Sequence, residues 1–249
     1  MEDTFTMRAA SDFRRYGSAA RMVRVCAVSS TSIDAAQICS KSGENYPNGV
    51  LGSTISQDIG GDGSYGEVRA GLVDDASNAT ERTIYPLLPA SSVPTDLGLS
   101  TFMVAPSANF RALGLINAVA NPDTETNFGD PPAIGFNSAF TFDFNPANGI
   151  APNASDFDAV VTHEIGHALG FVSNTGLKEL DSTIPNVLSV LDLFRFRPGI
   201  AGATFQTSQR IMASGGSAVY FSGGAALALS TGRPDGTGGD GNQSSHWKD

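Results

Sequence analysis

Three histidines occur in the 249-residue chain. Two of them stand four residues apart, with a glutamate directly after the first, in Thr162-His163-Glu164-Ile165-Gly166-His167-Ala168-Leu169-Gly170. Four residues make slightly more than one turn of an α-helix, so both imidazoles leave one face, about 6 Å apart along the axis. That spacing lets two ring nitrogens reach one zinc ion at about 2.0–2.1 Å. Glu164 lies about 100° round the helix from His163. It is poorly placed as a ligand but within reach of a water at the metal. The pattern is the H-E-x-x-H of a zinc hydrolase, with Glu164 as its general base. The plain alternative is an amphipathic helix with two ordinary histidines. Against it, Gly170 stands where a helix can end in a left-handed turn. The third histidine, His246, also lies in a glycine-rich, polar context that suits a ligand delivered by a loop.

These side chains need a platform. Ser155 reads as the N-cap of the histidine helix, with Asp158 three residues on completing a capping-box-like pair. Val161, Ile165, Ala168 and Leu169 form an apolar side that would bury the helix, leaving His163 and His167 to face a cleft. Upstream, Ala133–Asn137 and Ala139–Phe144 read as strands. They belong either to the core sheet or to an exposed edge on which an extended peptide adds as one more strand.

Further from the motif, Phe5–Arg15 reads as a helix and Met22–Val28 and Val50–Ser56 as strands. Ser40–Gly49 is turn-rich, and Gly60–Ser64 is expected as a loop. Helices are expected over Tyr65–Ala76, Ser107–Val119 (Phe110, Leu113 and Ile116 on one face) and Ile184–Phe196. The stretch 83–106 holds Pro86, Pro89, Pro94 and Pro106 and is expected to be mostly irregular, and 121–132 to be a polar loop. Ala218–Phe221 and Ala225–Leu229 read as two strands joined by Gly223-Gly224. The run Gly232–Gly241 lacks the Gly-Lys-Ser/Thr of a phosphate loop. Its aspartates could take calcium, but their spacing fits no EF-hand loop, and a flexible lead-in to His246 is the simpler expectation. Together these elements make an α+β protein.

A chain of this length forms one large domain or two small ones. Its net charge of −10 argues against nucleic acid or an anionic membrane surface as partner. No run of 18 apolar residues exists to span a membrane. The start, Met1-Glu2-Asp3-Thr4-Phe5, is acidic and lacks the apolar core of a signal peptide, so either the protein is not exported or a signal has been removed. Cys26 and Cys39 would close a small disulfide loop or remain as two thiols, and two cysteines do not decide the compartment.

His163-Glu164-Ile165-Gly166-His167-Ala168-Leu169-Gly170 resembles the zincin motif in its metzincin form, H-E-x-x-H-x-x-G-x-x-H. The third ligand of most metzincins falls six residues after the second histidine, where this chain has Ser173, a poor zinc ligand. In the leishmanolysin-like branch the third histidine follows a long insertion, and Ser244-Ser245-His246-Trp247 is similar to that branch's segment. Leu191–Arg195 and Ser245–Asp249 also resemble a bacterial group of exported metallopeptidases. The resemblance covers roughly residues 130–249.

It implies a metzincin-like single catalytic domain over 1–249. The N-terminal subdomain, 1–171, would carry a twisted mixed sheet and end in the active-site helix. A smaller irregular C-terminal subdomain, 172–249, would supply the third ligand. It implies zinc held by His163, His167 and His246, a peptide or protein substrate, and a secreted or cell-surface location. The family's methionine turn follows the third ligand, whereas Met212 precedes it, so the chain is expected to be truncated. A bound zinc would lower the pKa of a water towards about 7, and Glu164 would take its proton and pass it to the leaving amine. Glu179, Asp181 and Asp192 stand as alternative third ligands. A non-catalytic zinc-binding or adhesion module is the alternative function, which an intact Glu164 argues against, because a structural zinc site has no use for a general base.

Overall fold

The computed structural model describes residues 24–28, 50–56, 58–116, 132–137 and 139–248. The expected helix Phe5–Arg15, the turn-rich segment 40–49, the loop 121–131 and Cys39 lie outside these residues.

The protein is a mixed α+β structure of small sheets and short helices. In the first sheet β1 (Arg24–Val28) runs parallel to β7 (Ala133–Asn137), and β2 (Gly52–Ile55) runs antiparallel to β7 on its other side. β7 is therefore central and not the edge. Among the described residues, the edge strand beside the histidine helix is β2. Ile134 and Phe136 of β7 are buried against Val161 and Ala168 of that helix, with Phe142, Phe157, Val160 and Ile165 packed around them. Each fully buried Ile or Phe of this cluster contributes about 1.5–3 kcal/mol. β8 (Phe142–Asp143) and β9 (Ser155–Asp156), a short parallel pair, lead into the helix.

The larger core lies behind a second sheet. β3 (Asp58–Ser64) pairs antiparallel with β6 (Phe102–Pro106), which pairs in parallel with β10 (Val187–Leu188). Tyr65, Val68 and Phe110 meet Leu193, Phe196 and Phe205 in one apolar cluster, so residues on both sides of position 171 share this core. A hairpin of β4 (Val93–Thr95) and β5 (Gly98–Ser100) flanks it. β11 (Arg195–Phe196), β12 (Ala218–Tyr220) and β13 (Leu227–Leu229) form an antiparallel meander. The expected β12–β13 hairpin across Gly223-Gly224 is present, starting at Ala218 and ending at Leu229 as expected and shorter only on the side of the turn. The Tyr65–Asp74 helix also forms, closed by a capping box between Ser64 and Glu67.

Several expectations give way. Gly60–Ser64 belongs to β3, whose register shifts between Gly60 and Ser64; glycines sit in strands where a bulge bends the chain. The proline-bearing stretch 83–106 is largely regular. It contains the end of the Ala79–Ile84 helix, a short 3-10 turn with Pro86 near its start, and β4, β5 and β6. Pro86 stands in a first turn, Pro89 in irregular chain, Pro94 within the two-stranded hairpin of β4 and β5, and Pro106 at the end of β6, places where a missing backbone donor is tolerated. The helix from Ser107 stops at Ala112. Gly114, at φ 68°, turns the chain, and Leu115 N–H returns to the Phe110 carbonyl at 2.9 Å.

No long helix spans 184–196. That stretch is β10, a 3-10 turn over Leu191–Phe194, and β11. Its helical spacing was incidental to a segment in which Leu191, Asp192, Leu193, Phe194, Arg195 and Phe196 are all buried; an amphipathic helix would have kept one side wet. Of Ala139–Phe144 only Phe142–Asp143 is strand. Gly232–Gly241 is not a loose lead-in. It folds on itself through Arg233 N–H to the Thr237 carbonyl (2.7 Å), Gly232 N–H to the Asn242 carbonyl (3.0 Å) and Thr231 N–H to Asp240 Oδ1 (3.0 Å). No described helix is long and apolar enough to cross a membrane.

Candidate metal centre

The histidine helix runs Phe157–Ala168. Its N-cap is Asp156, whose Oδ1 accepts from Ala159 N–H at 3.2 Å, one residue later than expected. Ser155 is drawn instead into β9, and the Ser155–Asp158 capping pair does not form. Val161 and Ala168 are buried as the apolar pattern required, Ile165 is partly buried, and Leu169 is exposed.

The C-terminus of the helix does chemical as well as structural work. Leu169 is the C-cap and Gly170 follows at φ 103°. Phe171 N–H bonds the Gly166 carbonyl and Gly170 N–H the His167 carbonyl, both at 2.9 Å, which is a Schellman closure. The turn returns the Phe171 carbonyl to His167 Nδ1 at 2.7 Å. A carbonyl only accepts, so Nδ1 carries the proton and the Nε2 lone pair is left for a metal.

A Cβ at position 170 would also collide with the Asn109 side chain. Gly170→Ala is therefore expected to cost about 1–3 kcal/mol from the left-handed backbone alone, more if Asn109 cannot yield. It would be read as a lower urea midpoint with unchanged slope, and an unchanged midpoint would disprove the role given to this turn.

His163 and His167 present their Nε2 atoms 3.0 Å apart, close to the roughly 3.3 Å that two tetrahedral bonds to one zinc would set. His246 joins them from the far end of the described chain. One ligand nitrogen from each of the three histidines lies within 4.8 Å of the others, and this is the one such group of His, Cys, Asp or Glu among the described residues. The ring centroids of His163 and His246 are 4.7 Å apart, and those of His167 and His246 5.3 Å. Burial first, then the charges of His163 and His167, pull His246 down to about 4. His163 is lowered by burial and by His167. Neutral imidazoles are the form that binds a metal. Donor type, spacing and the His167 tautomer fit one transition-metal ion, and imidazole donors suit zinc, copper, iron and nickel alike.

A buried arginine holds the segment of the third candidate ligand in place. Arg195, fully buried on β11, donates through its guanidinium to the Ser244 carbonyl at 2.7 Å and to the Ser230 carbonyl at 2.5 Å. Ser230 N–H in turn bonds the His246 carbonyl at 2.9 Å, and Lys248 N–H the Ala228 carbonyl at 3.0 Å. Trp247 stacks on Phe171 at 4.9 Å between centroids. Phe171 thus touches both ligand segments, through its carbonyl to His167 and through its ring to the neighbour of His246. An arginine set within an apolar run was the signal available for this strut, since a charge there is buried and multiply bonded.

The alternative ligands are engaged elsewhere. Asp192 is fully buried and accepts from Ser173 Oγ (2.6 Å) and from the backbone N–H groups of Asn174 and Ser189 (both 2.9 Å). Ser173, in the usual metzincin ligand position, donates to that carboxylate. Glu179 accepts from Ser214 N–H at 2.7 Å and pairs with Arg233 at 3.1 Å. Asp181 accepts from Thr183 N–H at 2.9 Å.

Glu164 is 5% exposed. Burial raises its carboxyl, a hydrogen bond from Thr54 and the charge of His167 pulling the other way. Thr54 Oγ1 lies 2.7 Å from Glu164 Oε2, although the two residues are 110 positions apart. Nothing in the sequence marked that partner. Comparison with protein-family models, curated proteins and solved structures returns no match.

Proposed function

We propose that this chain is a zinc-dependent endopeptidase, metzincin-like in fold, with the leishmanolysin-like ligand arrangement in which a distant third histidine completes the site. The carrying observation is the convergence of His246 on His163 and His167 within 4.8 Å, beside a buried Glu164 that is bonded in place. Bound there, zinc would supply Lewis acidity towards a carbonyl oxygen and lower the pKa of a water towards about 7.

The chain's own contribution follows from its side chains. Three uncharged imidazoles leave the charge of the ion unneutralised, so its acidity is kept. The Phe171 carbonyl fixes the His167 tautomer and ring, as outer partners of metal ligands do. The Glu164 carboxylate, raised by burial, takes a proton from the attacking water and delivers it to the nitrogen of the leaving amine. An extended peptide would add at the sheet edge beside the helix. Sequence pattern left β7 and β8 open between core sheet and edge; β7 is central, and among the described residues β2 is the edge strand beside the helix.

The test is internal cleavage of an unfolded protein by the zinc-loaded native chain beside Glu164→Gln. Cleavage by the native protein alone is expected. Equal rates in the two, or none in the native protein with zinc bound, would sink the reading.

A further inference from the structure

The edge strand β2 meets the histidine helix through two residues on one face. Gly52 and Thr54 are two apart, so both substituents point the same way from the strand. The Thr54 hydroxyl lies 2.7 Å from Glu164 Oε2 and 2.8 Å from the Glu164 carbonyl oxygen. With one hydrogen it donates to one of them at a time, so it can follow the side chain without losing a partner. A Cβ on Gly52 would stand 3.2 Å from Glu164 Cγ, from Glu164 Oε1 and from Val160 Cγ1. One carboxylate oxygen is therefore gripped by a hydroxyl, while the other rests against the bare α-carbon face of a glycine. A side chain with three rotatable bonds would otherwise wander, and a general base works only from within about 2.6–3.2 Å of its proton.

We infer that Gly52-Ser53-Thr54 is the positioning strand of Glu164, with Thr54 as the positioning residue that holds the carboxylate and Gly52 as the space that admits it. The role in turnover rests on the reading of Glu164 as the proton acceptor; the hold on the carboxylate does not. Because β2 is also the edge strand of that sheet, the element that would receive substrate and the element that orients the base are the same.

The experiment compares Thr54→Val, which keeps the shape and removes the hydroxyl, with Thr54→Ser, which keeps the hydroxyl. Both carry 13C-labelled glutamate, and the Glu164 carboxylate resonance is identified by its loss in Glu164→Gln. In Thr54→Val that resonance is expected to move, zinc content and the substrate KM to stay native, and kcat to fall about tenfold. Thr54→Ser should restore the resonance and bring kcat within about threefold of native. An unmoved resonance in Thr54→Val would overturn the inference. So would a serine variant as impaired as the valine one, since the loss would then be one of packing. A moved and serine-restored resonance in a protein that cleaves nothing would uphold the hold on Glu164 and bring down the peptidase reading alone. Gly52→Ala is the second probe: it is expected to displace the same resonance with Thr54 intact, and a native resonance there would remove Gly52 from the device.

Discussion

Glu164→Gln is expected to retain one zinc per chain and to lose peptide hydrolysis by about 10²–10⁴-fold. The substitution keeps the side chain's volume, so the tight fit against Gly52 is preserved. The carboxylate is not among the three converging ligands, so affinity for the metal should not change. What is lost is the ability to accept a proton: an amide has no basic oxygen at neutral pH. A general base acts in the transition state and not in ground-state binding, so the fall belongs in kcat and not in KM. Initial rates on an unfolded protein, measured beside metal content from the same preparations, decide it. Loss of zinc together with activity would mean that Glu164 builds the site and does not work in it.

The second large effect concerns the third ligand. His246→Ala should weaken zinc binding by more than about 100-fold, because residues that merely support metal ligands are already worth about 10–100-fold. Dialysis against buffer of fixed free zinc, followed by metal analysis, should find about one ion in the native chain and little in the variant. Two histidines at i and i+4 would remain on the helix, and two ligands hold zinc poorly against water. Retention of a full equivalent would show that some other group closes the site. Glu179, Asp181 and Asp192 are bound to other partners, so such a group would have to come from outside the described residues or from a rearranged chain.

The histidine helix, its apolar side and its glycine stop were legible because each is local. Period, spacing and one backbone conformation define them within a dozen residues. The pairing of His246 with this helix came from resemblance to a family pattern, not from any spacing rule, because loop closure over so long a stretch leaves no periodic trace. Thr54 and Gly52 were illegible for the same reason: a hydroxyl that meets a carboxylate 110 residues away looks like any strand threonine. The 184–196 error has a different origin. Apolar residues at helical intervals imply a helix only when the residues between them are wet, and here Asp192 and Arg195 are fully buried with bonded partners. The choice between core sheet and edge for β7 stayed open because sequence shows which residues suit a strand but not which strand lies between two others.

The placement of the third histidine would give a bound metal a mechanical role. Two ligands belong to one helix and the third to a segment clasped by Arg195 near the end of the chain, so an ion at the centre is a reversible cross-link that closes a long loop. Its binding energy is then shared with folding: free zinc at one hundred times its dissociation constant would add about 2.7 kcal/mol to stability. A chelator should accordingly lower the melting temperature by several degrees as it stops turnover, and His246→Ala should melt where the chelated native protein does. Inhibition by a chelator would then report the opening of a clasp as much as the loss of a Lewis acid.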